Sequence, residues 1–143
     1  MNCIVRDYET GDIRAVTNIY NKARSPVKCF VSDDVSVDKF NTLIRGEEIQ
    51  VAESEDKTLM GFVGAWKAEC FIHHLYILPK HQNKGVAQSL INACVERYGL
   101  PLSLKTLVAN RNACTFYEHN HWIALSTGHG VDGPYNHYWL RDV

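Results

Sequence analysis

The chain has 143 residues, 45% hydrophobic and 22% charged, which fits one globular domain and leaves no room for a cofactor domain beside a separate substrate domain. Fifteen Lys and Arg against sixteen Asp and Glu give a net charge of −1, and without a basic cluster a nucleic-acid partner is not expected. No apolar run reaches the roughly 20 residues of a membrane span, and the start MNCIVRDYETG has no basic stretch followed by an apolar one, so a cytoplasmic protein without a membrane partner is expected. Cys3, Cys29, Cys70, Cys94 and Cys114 form no C-x-x-C pair, a pattern of reduced, mostly core thiols. His73, His74, His81, His119 and His121 lack the spacing of a zinc finger or of H-E-x-x-H, so no metal is expected.

In chain order, Cys3 to Arg6 alternates as a short strand before the turn at Thr10-Gly11-Asp12. Ile13, Val16, Ile19, Tyr20 and Ala23 recur at helical spacing, which predicts a helix to about Arg24, ahead of Pro26. Ser25 to Ser36 has no period and reads as a mobile loop; Val37, Phe40, Leu43 and Ile44 then predict a short helix ending at Gly46. Glu48 to Glu53 and Thr58 to Trp66 read as a hairpin about Ser54-Glu55-Asp56-Lys57, and Phe71 to Leu78 as a third strand closed by Pro79. Val86, Leu90, Ile91, Cys94, Val95 and Tyr98 predict a helix stopped by Gly99 and Pro101. A strand from Leu102 to Val108, a helix from Arg111 to His119, and strands Trp122 to Thr127 and Tyr135 to Arg141 around a Gly-rich loop complete the order β-α-α-β-β-β-α-β-α-β-β. The fold class is α/β with a mixed sheet, residues 1–143 forming a single domain.

The segment Gln82-Asn83-Lys84-Gly85-Val86-Ala87 joins a strand to a helix N-terminus. Gly85 and the small Ala87 allow close backbone approach, and first-turn N–H groups with the positive end of the helix dipole suit an anion. The loop lacks both G-x-x-x-x-G-K-[ST] and G-x-G-x-x-G. About 25 positions on stands Asn110-Arg111-Asn112-Ala113-Cys114-Thr115-Phe116-Tyr117.

Together, Leu75-x-Ile77-x-Pro79-x-x-Gln82-x-x-Gly85-x-Ala87 and Asn110-x-x-Ala113-x-x-Phe116-Tyr117 resemble the signature motifs of the GNAT superfamily of acetyl-CoA-dependent N-acetyltransferases, over residues 71–122. The resemblance implies a sheet whose fourth and fifth strands splay to admit coenzyme A. It implies that Gln82, Asn83, Lys84, Gly85, Val86 and Ala87 hold the pyrophosphate through backbone N–H groups, that Ile77 pairs with the pantetheine arm, and that Asn110 contacts that arm. It also implies that Tyr117 hydrogen-bonds the departing sulfur as general acid. His121-Trp122 stands where the family has Gly-Phe, so Asn120 is expected to take a positive φ.

A thioester must be attacked by a neutral amine, and an alkyl amine of pKa about 10.4 is almost wholly protonated at neutral pH. An imidazole is suited to take that proton, and His73 or His74 stands just before the cofactor loop. Adjacent strand residues point to opposite faces, so without a bulge only one faces the cleft; family position favours His73. The N–H of Ile77 is a candidate oxyanion donor. Cys114 is read as a buried thiol and not a nucleophile. The resemblance places the acceptor between the loop Arg24 to Asp34 and the turn Gly128 to Tyr135. There Asp33, Asp34 and Asp132 would attract a cation, and Arg24 and Lys28 an anion. Trp66 is either a wall of this cleft or a core residue.

The reading is therefore an N-acetyltransferase acting directly on a primary amine, of a small molecule more than of a peptide or protein. A non-catalytic coenzyme A-binding sensor or scaffold is the alternative. Tyr135 to Arg141 is expected to offer an edge for a homodimer.

Overall fold

The computed structural model describes residues 3–26 and 33–142; Lys28 and Cys29 lie outside them. The elements are β1 (Cys3–Asp7), α1 (Ile13–Arg24), α2 (Val37–Leu43), β2 (Glu48–Ser54), β3 (Leu59–Trp66), β4 (Phe71–Ile77), α3 (Val86–Tyr98), β5 (Leu102–Leu107), α4 (Arg111–His119), β6 (Ile123–Gly130) and β7 (Gly133–Leu140). Their order is the one the periodicities predict. Helix α1 buries Val16, Ile19, Tyr20 and Ala23, the apolar stripe of its sequence. Helix α3 stops at Gly99, whose φ of 78° ends the helical path. Among the described residues, no helix is long and apolar enough to cross a membrane.

The strands form one sheet in the order β1-β2-β3-β4-β5-β7-β6. Every neighbouring pair is antiparallel except β4 with β5, which is parallel and pairs only Phe71 with Ser103 and Ile72 with Leu104. Beyond Ile72 the two strands part, as the resemblance implies, and β4 from His73 to Ile77 has no ladder partner on that side.

Helices α3 and α4 cover one face over a core that includes Met60, Val63, Ile72, Leu90, Leu102, Trp122 and Tyr138. Helices α1 and α2 cover the other, over Val16, Ile19, Phe40, Val51 and Phe62. Side chains as deeply buried as Leu90 and Phe40, both 0% exposed, each contribute about 1.5–3 kcal/mol by leaving water.

Three expectations need correction. The Gly-rich segment is not a loop: β6 continues to Gly130 and β7 begins at Gly133, leaving only Val131 and Asp132 as the turn. Gly128 belongs in the strand because a β-carbon there would collide with the Tyr135 ring on the facing strand. Strand β7 lies inside the sheet between β5 and β6, so the edge on that side is β6, with Ile123 and Leu125 exposed. Finally, Asn120 has a φ of −104° and His121 takes the left-handed value of 75°. Asn120 instead donates from Nδ2 to the Phe116 carbonyl at 2.8 Å, which ties off the end of α4.

Candidate active site

The parting of β4 from β5 opens a cavity of about 280 Å³. On one side it is lined by Leu75, Tyr76 and Ile77 of β4, and on the other by Asn110, Phe116 and Tyr117. Its floor is the segment that leads into α3. Asn83 and Gly85 both sit at positive φ, 62° and 85°, which bends the backbone into a concave turn of the kind that presents N–H groups to an anion. Gly85 is the N-cap of α3 and has no side chain to cap the helix, so the first-turn amides of Val86, Ala87 and Gln88 are uncapped at the cavity wall. The next amide, Ser89, is already bonded to the Gly85 carbonyl at 3.0 Å.

Gln82, Asn83, Gly85, Val86 and Ala87 line this cavity; Lys84 is exposed and is not part of its lining. Gln82 Nε2 donates to the Ile77 carbonyl at 3.1 Å, so that carbonyl is already engaged and an extended ligand would have to pair with the strand's other backbone groups. Asn110 caps α4, its Oδ1 accepting from the Ala113 amide at 3.4 Å, which leaves the amide Nδ2 as its donor toward a ligand. His81 also lines the cavity, with both ring nitrogens buried and without a hydrogen-bond partner among the described residues. Burial lowers its pKa, with Lys80 and Lys84 adding to the effect. The sequence reading weighs His81 as a metal ligand and as part of the polar loop from Pro79 to Leu90, without giving its side chain a role at the cavity.

Tyr117 is 8% exposed, packs against Trp122 and Tyr138, and still reaches the cavity. Burial pushes its phenol well above the ordinary value. Cys114 Sγ donates to the Leu107 carbonyl at 3.5 Å, a structural contact that agrees with reading it as a buried thiol.

Next to the cavity lies a cluster that the sequence reading located only in part. Strand β3 pairs Gly64 with His74 and Ala65 with Ile72, so His73 is an extra residue on β4 with no partner opposite. This bulge cancels the alternation that would have sent the two histidines to opposite faces. Both reach the same carboxylate: His73 Nδ1 stands 2.7 Å from Glu47 Oε2, and His74 Nδ1 stands 3.0 Å from both Glu47 oxygens. An ionised carboxylate only accepts, so each Nδ1 carries the hydrogen and each Nε2 of a neutral ring is left as an acceptor. Burial of Glu47, whose side chain is 0% exposed, opposes its ionisation, yet the hydrogen bonds from His73 and His74 outweigh burial and hold the carboxyl below its ordinary pKa.

The remaining neighbours fix the rings. His74 is packed against Tyr20 and Phe62, while His73 is half open to solvent and stacks on Trp66 at 4.2 Å. Trp66, at the exposed end of β3, is thus a wall beside His73 and not a core residue. None of the three cluster residues lines the cavity itself. Tyr76 joins the two regions, lining the cavity with its ring 6.1 Å from that of His74.

Glu47 was missed because it stands in the connection before β2, where a lone Glu reads as a solvated charge. The available signal was Gly64 in mid-strand, since a strand-interior glycine marks close approach of another group. A β-carbon at Gly64 would collide with the Glu47 carboxylate. Gly64→Ala should therefore displace Glu47 and cut turnover by about 10-fold or more while coenzyme A affinity stays unchanged. Titration calorimetry alongside steady-state rates reads both, and an unchanged rate would show that the carboxylate position does not matter.

Around this cluster, Arg24 lies 4.6 Å over the Tyr20 ring. Tyr20 has its phenol pKa raised by burial first, with Arg24 opposing and Asp132 and Glu47 adding, which puts the β6–β7 turn in electrostatic reach of α1. Asp33, Asp34 and Asp132 are exposed.

The comparisons agree with this geometry. The family model described as acetyltransferase (GNAT) family matches residues 13–122. The chain is similar to the solution structure of apo YjaB from Escherichia coli, with TM-score 0.79, 16% identity and 97% of each chain covered. It is similar to a GCN5-related N-acetyltransferase from Rhodopseudomonas palustris, with TM-score 0.82, 16% identity, and 99% of this chain and 96% of that one covered. A variant of the spermidine N-acetyltransferase SpeG from Vibrio cholerae aligns with TM-score 0.74 and 21% identity over 97% of this chain and 93% of that one. No curated protein sequence matches the chain. With its splayed β4–β5 pair, its uncapped α3 N-terminus and the family match over residues 13–122, the chain belongs to the acetyltransferase (GNAT) family of acyl-transferring enzymes.

Proposed function

We propose that the protein moves the acetyl group of acetyl-CoA directly to a primary amine of a small cationic molecule, with no covalent enzyme intermediate. The observation that carries this reading is the opening in the sheet with uncapped amides and a concave turn at its floor, and a carboxylate-anchored histidine pair beside it, reached through Tyr76. Family members generally use acetyl-CoA, and a bound thioester supplies a carbonyl carbon open to attack by a neutral amine.

The amides of Val86, Ala87 and Gln88, with the bend at Asn83 and Gly85, take the diphosphate, and His81 and the Asn110 amide are placed to add hydrogen bonds. The open side of β4 aligns the arm, and the Ile77 N–H is the candidate donor to the oxyanion. His73, steered by Glu47, accepts the ammonium proton at Nε2 and gives it to solvent; after the amine attacks, the ring takes the second nitrogen proton as the amide forms, and solvent protonates the released thiolate. As the carbon–nitrogen bond forms and the carbon–sulfur bond breaks, Tyr117 donates a hydrogen bond to the sulfur. Because burial makes this phenol a weaker acid than a free one, it stabilises the leaving thiolate by that bond and keeps its proton, which refines the general-acid role.

Asp132, exposed and in electrostatic reach of Tyr20 beside Arg24, is the carboxylate that would meet a cationic acceptor. The Vibrio cholerae relative is named for spermidine, so polyamines belong in an acceptor panel with amino acids, aminoglycosides and peptides. Release of free coenzyme A thiol in the presence of one of these pools is the expected outcome, and silence across all of them would overturn the reading. Tyr117→Phe should lower kcat by about 10- to 100-fold with coenzyme A affinity retained. An unchanged kcat would remove Tyr117 from the chemistry.

A further inference from the structure

Glu47, His73 and His74 offer three ligand atoms that all lie within 4.8 Å of one another. They comprise two imidazoles and one carboxylate, the donor set of three-ligand sites that leave positions open to water or substrate. The distances are more specific than the composition. Glu47 Oε2 stands 2.7 Å from His73 Nδ1 and 3.0 Å from His74 Nδ1. Ligands held about 2.1 Å from an ion at right angles stand about 3.0 Å apart, whereas tetrahedral ligands stand about 3.4 Å apart. The observed spacings are hydrogen-bond lengths, short enough for one ion to reach both Nδ1 atoms and the carboxylate once it displaces the bridging hydrogens.

The surrounding structure holds the three groups together. The bulge at His73 brings two sequence-adjacent imidazoles to one carboxylate, Gly64 leaves the carboxylate its room, and Tyr20, Phe62 and Trp66 fix the rings. The Glu47 side chain is shut off from solvent, while His73 is 34% exposed and gives an ion its way in.

We propose that Glu47, His73 and His74 form a binding site for a divalent first-row transition-metal ion, held through the two Nδ1 atoms and the carboxylate, and that the ion switches the enzyme off. The switch rests on the base role assigned above to His73. With no ion, Glu47 keeps hydrogen on each Nδ1 and leaves each Nε2 lone pair without one. An ion bonded to Nδ1 takes that lone pair, so the hydrogen leaves Nδ1 and a solvent proton occupies Nε2. No net proton is gained or lost by a neutral ring, but its Nε2 becomes a donor and can no longer accept from an ammonium. Inhibition follows even though the ion sits behind the rings and not on the substrate.

The test is calorimetric titration of the full chain with NiCl2, in the absence of any acyl donor or amine, so that its result stands apart from whether acetyl transfer has been found. One ion per chain is expected. Glu47→Gln and His73→Gln should each weaken binding about 10- to 100-fold, and a His119→Asn, His121→Asn double variant should leave it unchanged. Histidine 15N spectra with ZnCl2, a diamagnetic probe, should show two rings changing from the Nδ1–H to the Nε2–H form. Circular dichroism of each variant confirms folding, and His74→Gln supplies a second route should His73→Gln fail to fold. No binding up to about 1 mM, equal affinity in Glu47→Gln, or loss of binding only in the His119/His121 variant would overturn the proposal. If the ion binds and acetyl transfer is unaffected at saturation, the inhibitory half is wrong.

Discussion

Replacing Glu47 with Gln is expected to lower kcat by about 100-fold or more while leaving coenzyme A affinity unchanged. The side chain is fully enclosed and receives hydrogen bonds from both histidines, so its charge would balance an imidazolium formed on either one. A Gln of the same shape offers one acceptor oxygen and presents an N–H2 to the other ring, which forces that ring to turn or change its tautomer. Glu47 touches neither cofactor nor acceptor in this arrangement; it acts by positioning the rings. The readout that separates this from general damage is the pH profile. Without an enzymic base the variant depends on amine already neutral in solution, so its kcat/KM should rise about tenfold per pH unit toward the amine pKa of about 10.4. The wild-type profile should level off earlier. A variant that is slow at every pH by the same factor would indicate distortion of the site, and an unimpaired variant would dissociate Glu47 from the reaction.

Substitution at Gly85 should weaken coenzyme A binding by about 100-fold, since any β-carbon there occupies the ground from which the backbone meets the diphosphate. The structure changes how this is best tested. A β-carbon at Gly85 meets no protein atom within 4 Å, which leaves the space for a ligand, but the φ of 85° also strains most side chains. Gly85→Val therefore combines blocked approach with a backbone penalty of about 1–3 kcal/mol, and a fall in stability is expected beside the lost affinity. Gly85→Asn tolerates the left-handed conformation and isolates the blocked approach. The Asn variant should melt close to wild type in the absence of ligand and yet lose most of the stabilisation that coenzyme A confers. Full ligand stabilisation in Gly85→Asn would move the diphosphate elsewhere.

The helices and strands were legible for two reasons: the apolar stripe on α1 leaves little choice of face, and β2 and β3, buried on both faces, are apolar runs set off by a polar turn. The turn into α3 was legible for a different reason, that its Gly, its small residue and its helix N-terminus are contiguous in the chain. Glu47 was not, because its meaning depends on two histidines 26 and 27 positions away and on a missing side chain at Gly64. The end of the sheet was misread on composition. Glycines usually break strands, but Gly128 serves one by making room for an aromatic ring across the ladder. The place of β7 inside the sheet is a matter of long-range pairing with β5, which no local pattern records.

The extra residue on β4 makes the second imidazole separable from the architecture. Because Gly64 and Ala65 already face His74 and Ile72, removing His73 altogether would restore an unbroken ladder, with every later side chain keeping its side of the sheet. A one-codon deletion is thus gentler here than most substitutions, and a one-codon insertion suffices to install a second ring in a lineage that lacks it. Such a site can be gained and shed over evolutionary time without renegotiating the fold.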